Sequence, residues 1–190
     1  MNSQALWYLS RGSGAVSLLL LTLALLLGIL TAGRWARDRW PRFVVEGLHR
    51  NLSLLATVFV GIHITSAVVD GYVPIRWIDA VVPFGAAYKP FWLGLGALAL
   101  DVFAAVAITS LVRARLGYRA WRSVHWVAYA CWALAVAHSI GIGSDRASLW
   151  MLCVDLLAVT SVVIALGWRL AWATRRPPGA RDRAMGVRSA

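Results

Sequence analysis

The chain has 190 residues, of which 60% are hydrophobic and 14% charged, with a mean hydropathy of +0.68; soluble domains run at about 45–50% apolar and about 25% charged, so an ordinary water-soluble domain is excluded. The net charge is +11, and every one of the 19 basic residues except Lys89 is an arginine, which brings nucleic-acid binding into view. The arginines cluster between long apolar runs, as juxtamembrane segments on anionic lipid do, so lipid is the expected partner and nucleic acid is not.

A membrane-spanning helix needs roughly 20 mostly apolar residues. Five stretches qualify in chain order: Gly14 to Ala32, Glu46 to Val69, Pro90 to Val112, Ser123 to Ile142 and Leu149 to Ala173. Met1 to Ser13 carries Trp7, Tyr8 and Arg11, and the run that follows is too long for a signal-peptide core, so the first span is read as a retained helix. Backbone groups in hydrocarbon must bond within their own segment, which predicts an all-α integral membrane bundle over residues 1–173. Residues 174–190 follow as a basic cytoplasmic tail, expected to be disordered or to lie on headgroups. Cys131 and Cys153 fall at different depths, so no disulfide is expected.

Orientation follows from the arginines. Arg34, Arg37, Arg39, Arg42 and Arg50 flank the first connection, Arg113, Arg115, Arg119 and Arg122 the third, and Arg169, Arg175, Arg176, Arg181, Arg183 and Arg188 the tail. The other side has only Arg11, Arg76, Lys89 and Arg146. The positive-inside rule then puts the N-terminus outside and the C-terminus in the cytoplasm of a bacterial-type cell membrane. The second and fourth spans run parallel, and the connection from Asp70 to Lys89, with Tyr72, Trp77, Pro83, Phe84 and Tyr88, suits an ordered cap at the outer interface.

All four histidines fall on those two parallel spans: His49 and His63 on the second, His125 and His138 on the fourth. Spacings of 14 and 13 residues separate the members of each pair by about 21 and about 20 Å. His49 therefore faces His125 near the cytoplasmic side, and His63 faces His138 near the exterior. Each facing pair suits the two axial positions of a haem held edge-on between the spans. A bare zinc or copper ion wants three or four converging ligands, and each level offers two. Rotation is awkward for the 13-residue step, which leaves His138 about 140° from His125 on an ideal helix, so the fourth span must kink, tighten or use different rotamers. Ala56, Ala128 and Ala135 leave room near the ligand faces, and Phe59 and Trp132 lie between the two levels, either as fillers between haems or as ordinary packing. The competing reading makes the histidines interhelical hydrogen-bonders; four of four, paired at matched depths, favour haem.

The segments His49-Arg50-Asn51-Leu52 through Gly61-Ile62-His63, and Trp121-Arg122-Ser123-Val124-His125-Trp126 through Ala137-His138 with Gly143-Ser144-Asp145, resemble the ferric reductase-like transmembrane domain family. That family includes ferric reductases, the membrane half of NADPH oxidases and the haem-binding subunit of methionine sulfoxide reductase systems. The resemblance implies five helices around two stacked b haems, with His49 and His125 on the inner iron and His63 and His138 on the outer. It implies transmembrane electron transfer as an oxidoreductase component. No nucleotide fingerprint is present and the short tail has no room for one, so electrons are expected from a separate flavoprotein or reductase subunit, from free reduced flavin, or from quinol.

Asp101 and Asp155 lie inside spans, where a carboxylate is costly; Asp101 is expected either to handle protons or to bond a neighbouring helix near Thr160 or Ser161. Arg50, Arg113, Arg119 and Arg122 inside, and Arg76, Lys89 and Arg146 outside, are candidate partners for haem propionates. Two haem-free rivals stand beside this reading: a proton-coupled transporter with a histidine/aspartate relay, and a structural membrane subunit.

Overall fold

Long apolar runs with no polar partner outside themselves satisfy their backbone as helices. The computed structural model describes residues 3–32, 41–71, 73–143 and 148–174, and these contain helices and connecting turns without a strand. In chain order the helices are α1 (Ser3–Ala32), α2 (Arg42–Val69), α3 (Trp77–Val81), α4 (Pro90–Leu111), α5 (Arg113–Leu116), α6 (Tyr118–Trp126), α7 (Ala128–Ile142) and α8 (Leu149–Thr174). Five stretches are long and apolar enough to cross a membrane: Gln4–Thr31, Phe43–Val69, Pro90–Leu111, Tyr118–Ile142 and Leu149–Trp172. The chain is a multi-pass membrane protein.

The boundaries move outward from those expected. α1 begins at Ser3 rather than Gly14, because the polar turn at its start is held within the helix: the Arg11 guanidinium lies 4.4 Å from the Trp7 ring centroid, and Leu6 is buried. α2 begins at Arg42, where the Pro41 carbonyl accepts from the Val44 amide at 3.0 Å. The fourth span begins at Tyr118, after Gly117 at φ +75°, a backbone region that favours glycine.

The fourth span is two helices. The break lies at Val127, whose amide bonds back to the Val124 carbonyl at 2.9 Å and also to that of His125. This tightened turn stands between His125 and His138, so the two are not on one continuous helix and the ideal-helix rotation does not apply across it.

α1 packs along α2 and also touches α7 and α8, while α4 packs along α7 and contacts α3 and α6. The apolar core sits among α1, α7 and α8: Leu18, Val136 and Ala158 at one level, Leu25, Ile29 and Val162 at the next. Trp132 packs against both clusters and donates its indole N–H to Thr22 Oγ1 at 2.9 Å, which makes it a core residue. α2 and α7, which carry three of the histidines, are not a packed pair. A gap is left where the ligand faces look at each other.

The connection between α2 and α4 closes over the end of the bundle that was expected to face outward. Asp79, 3% exposed, accepts from the Arg76 guanidinium at 2.8 Å and from the Arg76 amide at 2.9 Å. Those hydrogen bonds hold the Asp79 carboxyl below the usual carboxylate range and raise the Arg76 guanidinium. Phe84, at φ +65°, lays its ring and backbone over Gly94, where a side chain would collide with it. Lys89 donates to the Ile142 carbonyl at 3.0 Å, tying the loop to the end of α7. Both cysteines are free thiols. Tyr72, Arg34, Arg37, Arg39, Arg146 and the tail from Arg175 onward lie outside the described residues.

Candidate functional site

The four histidines stand as two facing pairs. The ring centroids of His49 and His125 are 6.1 Å apart with planes at 69°, and those of His63 and His138 are 6.3 Å apart at 82°. Two axial imidazoles on one metal, each with a bond of about 2 Å, have centroids about 6 Å apart. Among the described residues no group of three or more His, Cys, Asp or Glu converges on a point, so whatever fits between each pair must bring its own equatorial ligands. A macrocycle does that and a bare ion does not.

The ring nitrogens are sorted by the backbone. His49 Nδ1 lies 3.0 Å from the Ala24 carbonyl oxygen, His63 Nδ1 2.7 Å from that of Ser10, and His138 Nδ1 2.8 Å from that of Trp92. A carbonyl only accepts, so Nδ1 carries the proton in all three, and Nε2 keeps its lone pair for a metal. Metal-bound histidines are characteristically oriented in this way. His125 differs: its Nδ1 is buried without a hydrogen-bond partner among the described residues, and its ring stacks on Trp121 at 5.0 Å and 27°.

Two glycines make the close approach possible. A Cβ at Gly96 would lie 2.5 Å from His138 Nδ1 and Cε1, and one at Gly14 would lie 2.9 Å from the same atoms of His63. Each glycine sits four residues after the carbonyl its histidine uses, so the missing side chain opens that carbonyl to the ring.

Around the outer pair is a cavity of about 310 Å³, whose lining includes His63, His138, Gly14, Gly96, Phe103 and Ala135. Arg11, Asp70, Asp79 and Tyr88 line its outer end. The cationic side chains expected there are differently employed: Arg76, with its side chain 69% exposed, pairs with Asp79, and Lys89 caps α7. Arg11, counted in the sequence only for topology, is the arginine among the described residues that reaches the cavity wall. Arg50, Arg113, Arg119 and Arg122 at the inner level are exposed, and Arg122 bonds the Tyr118 hydroxyl at 3.1 Å.

The intramembrane acids separate. Asp155, 7% exposed, accepts from Ser139 at 2.8 Å and so ties α8 to α7 beside His138. The expected bond between Asp101 and Thr160 or Ser161 does not form: both hydroxyls donate to carbonyls of their own helix, and α4 and α8 are not a packed pair.

Gly14, Gly96 and the three carbonyls were not singled out from the sequence, and Trp121 stood in the resemblance motif without a role of its own. A signal for the glycines existed in the 14-residue step from Gly14 to Gly28, which equals that from His49 to His63.

The sequence matches the family described as Ferric reductase like transmembrane component over residues 13–136. That stretch takes in His49, His63 and His125, both glycines and Trp121, and stops just before His138. No curated protein and no solved structure matches the chain.

Proposed function

From the premise that this chain belongs to the ferric reductase-like transmembrane component family, we propose that it carries electrons one at a time across a bilayer through two b haems, held by His49 with His125 and by His63 with His138. The observation that carries this reading is the pair of histidine separations, 6.1 and 6.3 Å, with Nε2 left free by the Nδ1 bonds of three rings. A b haem with two histidine ligands supplies ferric/ferrous one-electron chemistry and leaves no iron position for a substrate.

The chain's own residues do the rest. The Ser10, Ala24 and Trp92 carbonyls hold three imidazoles in the tautomer that can ligate, and Gly14 and Gly96 let the outer two rings sit against helix backbone. The core of α1, α7 and α8 keeps the framework rigid, so the two levels stay at their separation of about 21 Å along α2. The loop from Asp70 to Lys89, docked by Phe84 and Lys89, keeps bulk water from the outer end. Arg11 supplies a cation there for an acidic group such as a propionate. The arginine distribution supports a cytoplasmic C-terminus, with a donor on that side that is a separate protein, reduced flavin or quinol, and an acceptor outside.

The test is a dithionite-reduced minus oxidised spectrum of detergent-purified protein with a pyridine haemochrome count, repeated for His63→Ala and His125→Ala. Two low-spin b haems per chain, with loss of at least one in each variant, are expected. A colourless protein from haem-replete cells would return the histidines to a proton-relay or structural role.

A further inference from the structure

Three of the four histidines share one device, an Nδ1 bond to a main-chain carbonyl, and among the described residues the fourth does not. The glycine four residues after the carbonyl clears the ring at His63 and His138, while a Cβ at Gly28 would meet nothing within 4 Å. On α1 the accepting carbonyls, Ser10 and Ala24, each precede a glycine by four residues, Gly14 and Gly28, and the two sets are fourteen residues apart. On α4 the set is Trp92 with Gly96. The same fourteen-residue step along α4 leads from Trp92 to Val106 and from Gly96 to Ser110. There the device changes. The Ser110 hydroxyl donates to the Val106 carbonyl at 2.7 Å, with Thr109 adding a second bond at 3.2 Å. Ser110 Oγ in turn accepts from the Trp121 indole N–H at 3.3 Å. At the position that is glycine after Ser10 and Trp92 a side chain stands instead, two hydroxyls lie on the carbonyl, and what reaches toward His125 is the Trp121 ring face, one helical turn earlier on α6.

Resting on the two-haem reading above, we propose that Trp121, anchored by Ser110, is the positioning residue for the His125 imidazole, and that His125 is therefore the one axial ligand held by side-chain stacking instead of a backbone hydrogen bond. The physical difference is direct. A ring bonded to a main-chain carbonyl is tied to something no substitution removes, and that bond also strengthens the imidazole as a donor. A ring held by stacking keeps its plane only while its neighbour is there. His125 is the ligand that a side-chain change can loosen.

Carbon monoxide reads this out, because it binds ferrous haem where an axial ligand can leave and is excluded where both histidines hold. Wild-type reduced protein is expected to exclude it. Trp121→Leu, which keeps much of the volume but no ring to stack, is expected to take up carbon monoxide at one of its two haems, and Trp121→Phe, which keeps a ring face, to exclude it again. If the residue merely fills space, Leu serves as well as Phe; a haem-loaded Trp121→Leu that excludes carbon monoxide like the wild type overturns the assignment. Ser110→Ala frees the indole while leaving its bulk, and is expected to show the same uptake in smaller amount. Should Trp121→Leu not accumulate, exclusion equal to wild type in Ser110→Ala overturns it instead. A wild-type chain that carries no haem defeats the two-haem reading itself, which the haem count reveals before any gas is added.

Discussion

At Gly96 a single methyl group would come within 2.5 Å of the His138 ring, closer than nonbonded carbon and nitrogen atoms approach, whereas at Gly28 a methyl group meets nothing within 4 Å. Both glycines stand at the same offset from a carbonyl that a histidine uses, so they form a matched comparison. Gly96→Ala forces either the ring or α4 to shift, and overpacking of this kind costs roughly 1–3 kcal/mol. On the proposed two-haem reading, and at about 1.4 kcal/mol per factor of ten, the haem between His63 and His138 is expected to be held roughly tenfold to a hundredfold less tightly, while that between His49 and His125 stays. Gly28→Ala is expected to leave both in place. Haem per chain after extended detergent washing measures the difference, and equal retention by the two variants would show that ring clearance does not govern the outer site.

At the scale of elements, the loop carrying α3 is held by an ion pair whose response to pH has a definite sign. Arg76 lowers the folded-state value of the Asp79 carboxyl, so the folded loop binds a proton less readily than the unfolded chain. The stabilisation is present above the ordinary carboxylate value of about 3.9 and is lost as pH falls through the lower folded value. Acidification from about pH 5 to about pH 3 is therefore expected to make the loop more open to an acid-stable protease, and Asp79→Asn to be open throughout and flat with pH. A wild-type loop whose cleavage does not change over that window would mean that Phe84 on Gly94 and Lys89 on α7 hold it without help. The break between α6 and α7 is the other decisive element. The helix is interrupted there at Val127, between His125 and His138, so the two histidines stand on separate helices.

For the molecule as a whole, the testable matter is which end faces which side. Val82 in the loop and Arg115 in α5 are both exposed and lie at opposite ends of α4. In intact cells a membrane-impermeant maleimide is expected to label Val82→Cys and to spare Arg115→Cys until the membrane is opened. Labelling in the reverse order would invert the proposed direction of the wire. Cys131 is buried, and Cys153, exposed near the start of α8, is replaced by serine in both variants so that it adds no background.

Much of the architecture was legible in the sequence because hydrocarbon imposes it: five runs of sufficient length had to be helices, and the arginines between them mark a side. The pairing of His49 with His125 and of His63 with His138 followed from depth alone, since residues fourteen and thirteen apart on parallel helices meet at matched levels. The loop was legible as an ordered cap from its aromatic residues, although Phe84 and Lys89, which dock it, were not distinguished from the rest. What only the tertiary structure decided is how the rings are held. The Ser10, Ala24 and Trp92 carbonyls belong to helices α1 and α4, which carry no histidine, and a main-chain acceptor has no side chain to announce it. At the turn at Val127 no proline or glycine stands; α6 and α7 both pack on α4, and α7 alone also packs on α1 and α8. Sequence periodicity can assign a residue a depth and a face on its own helix, but which backbone lies opposite that face is settled only when the helices pack.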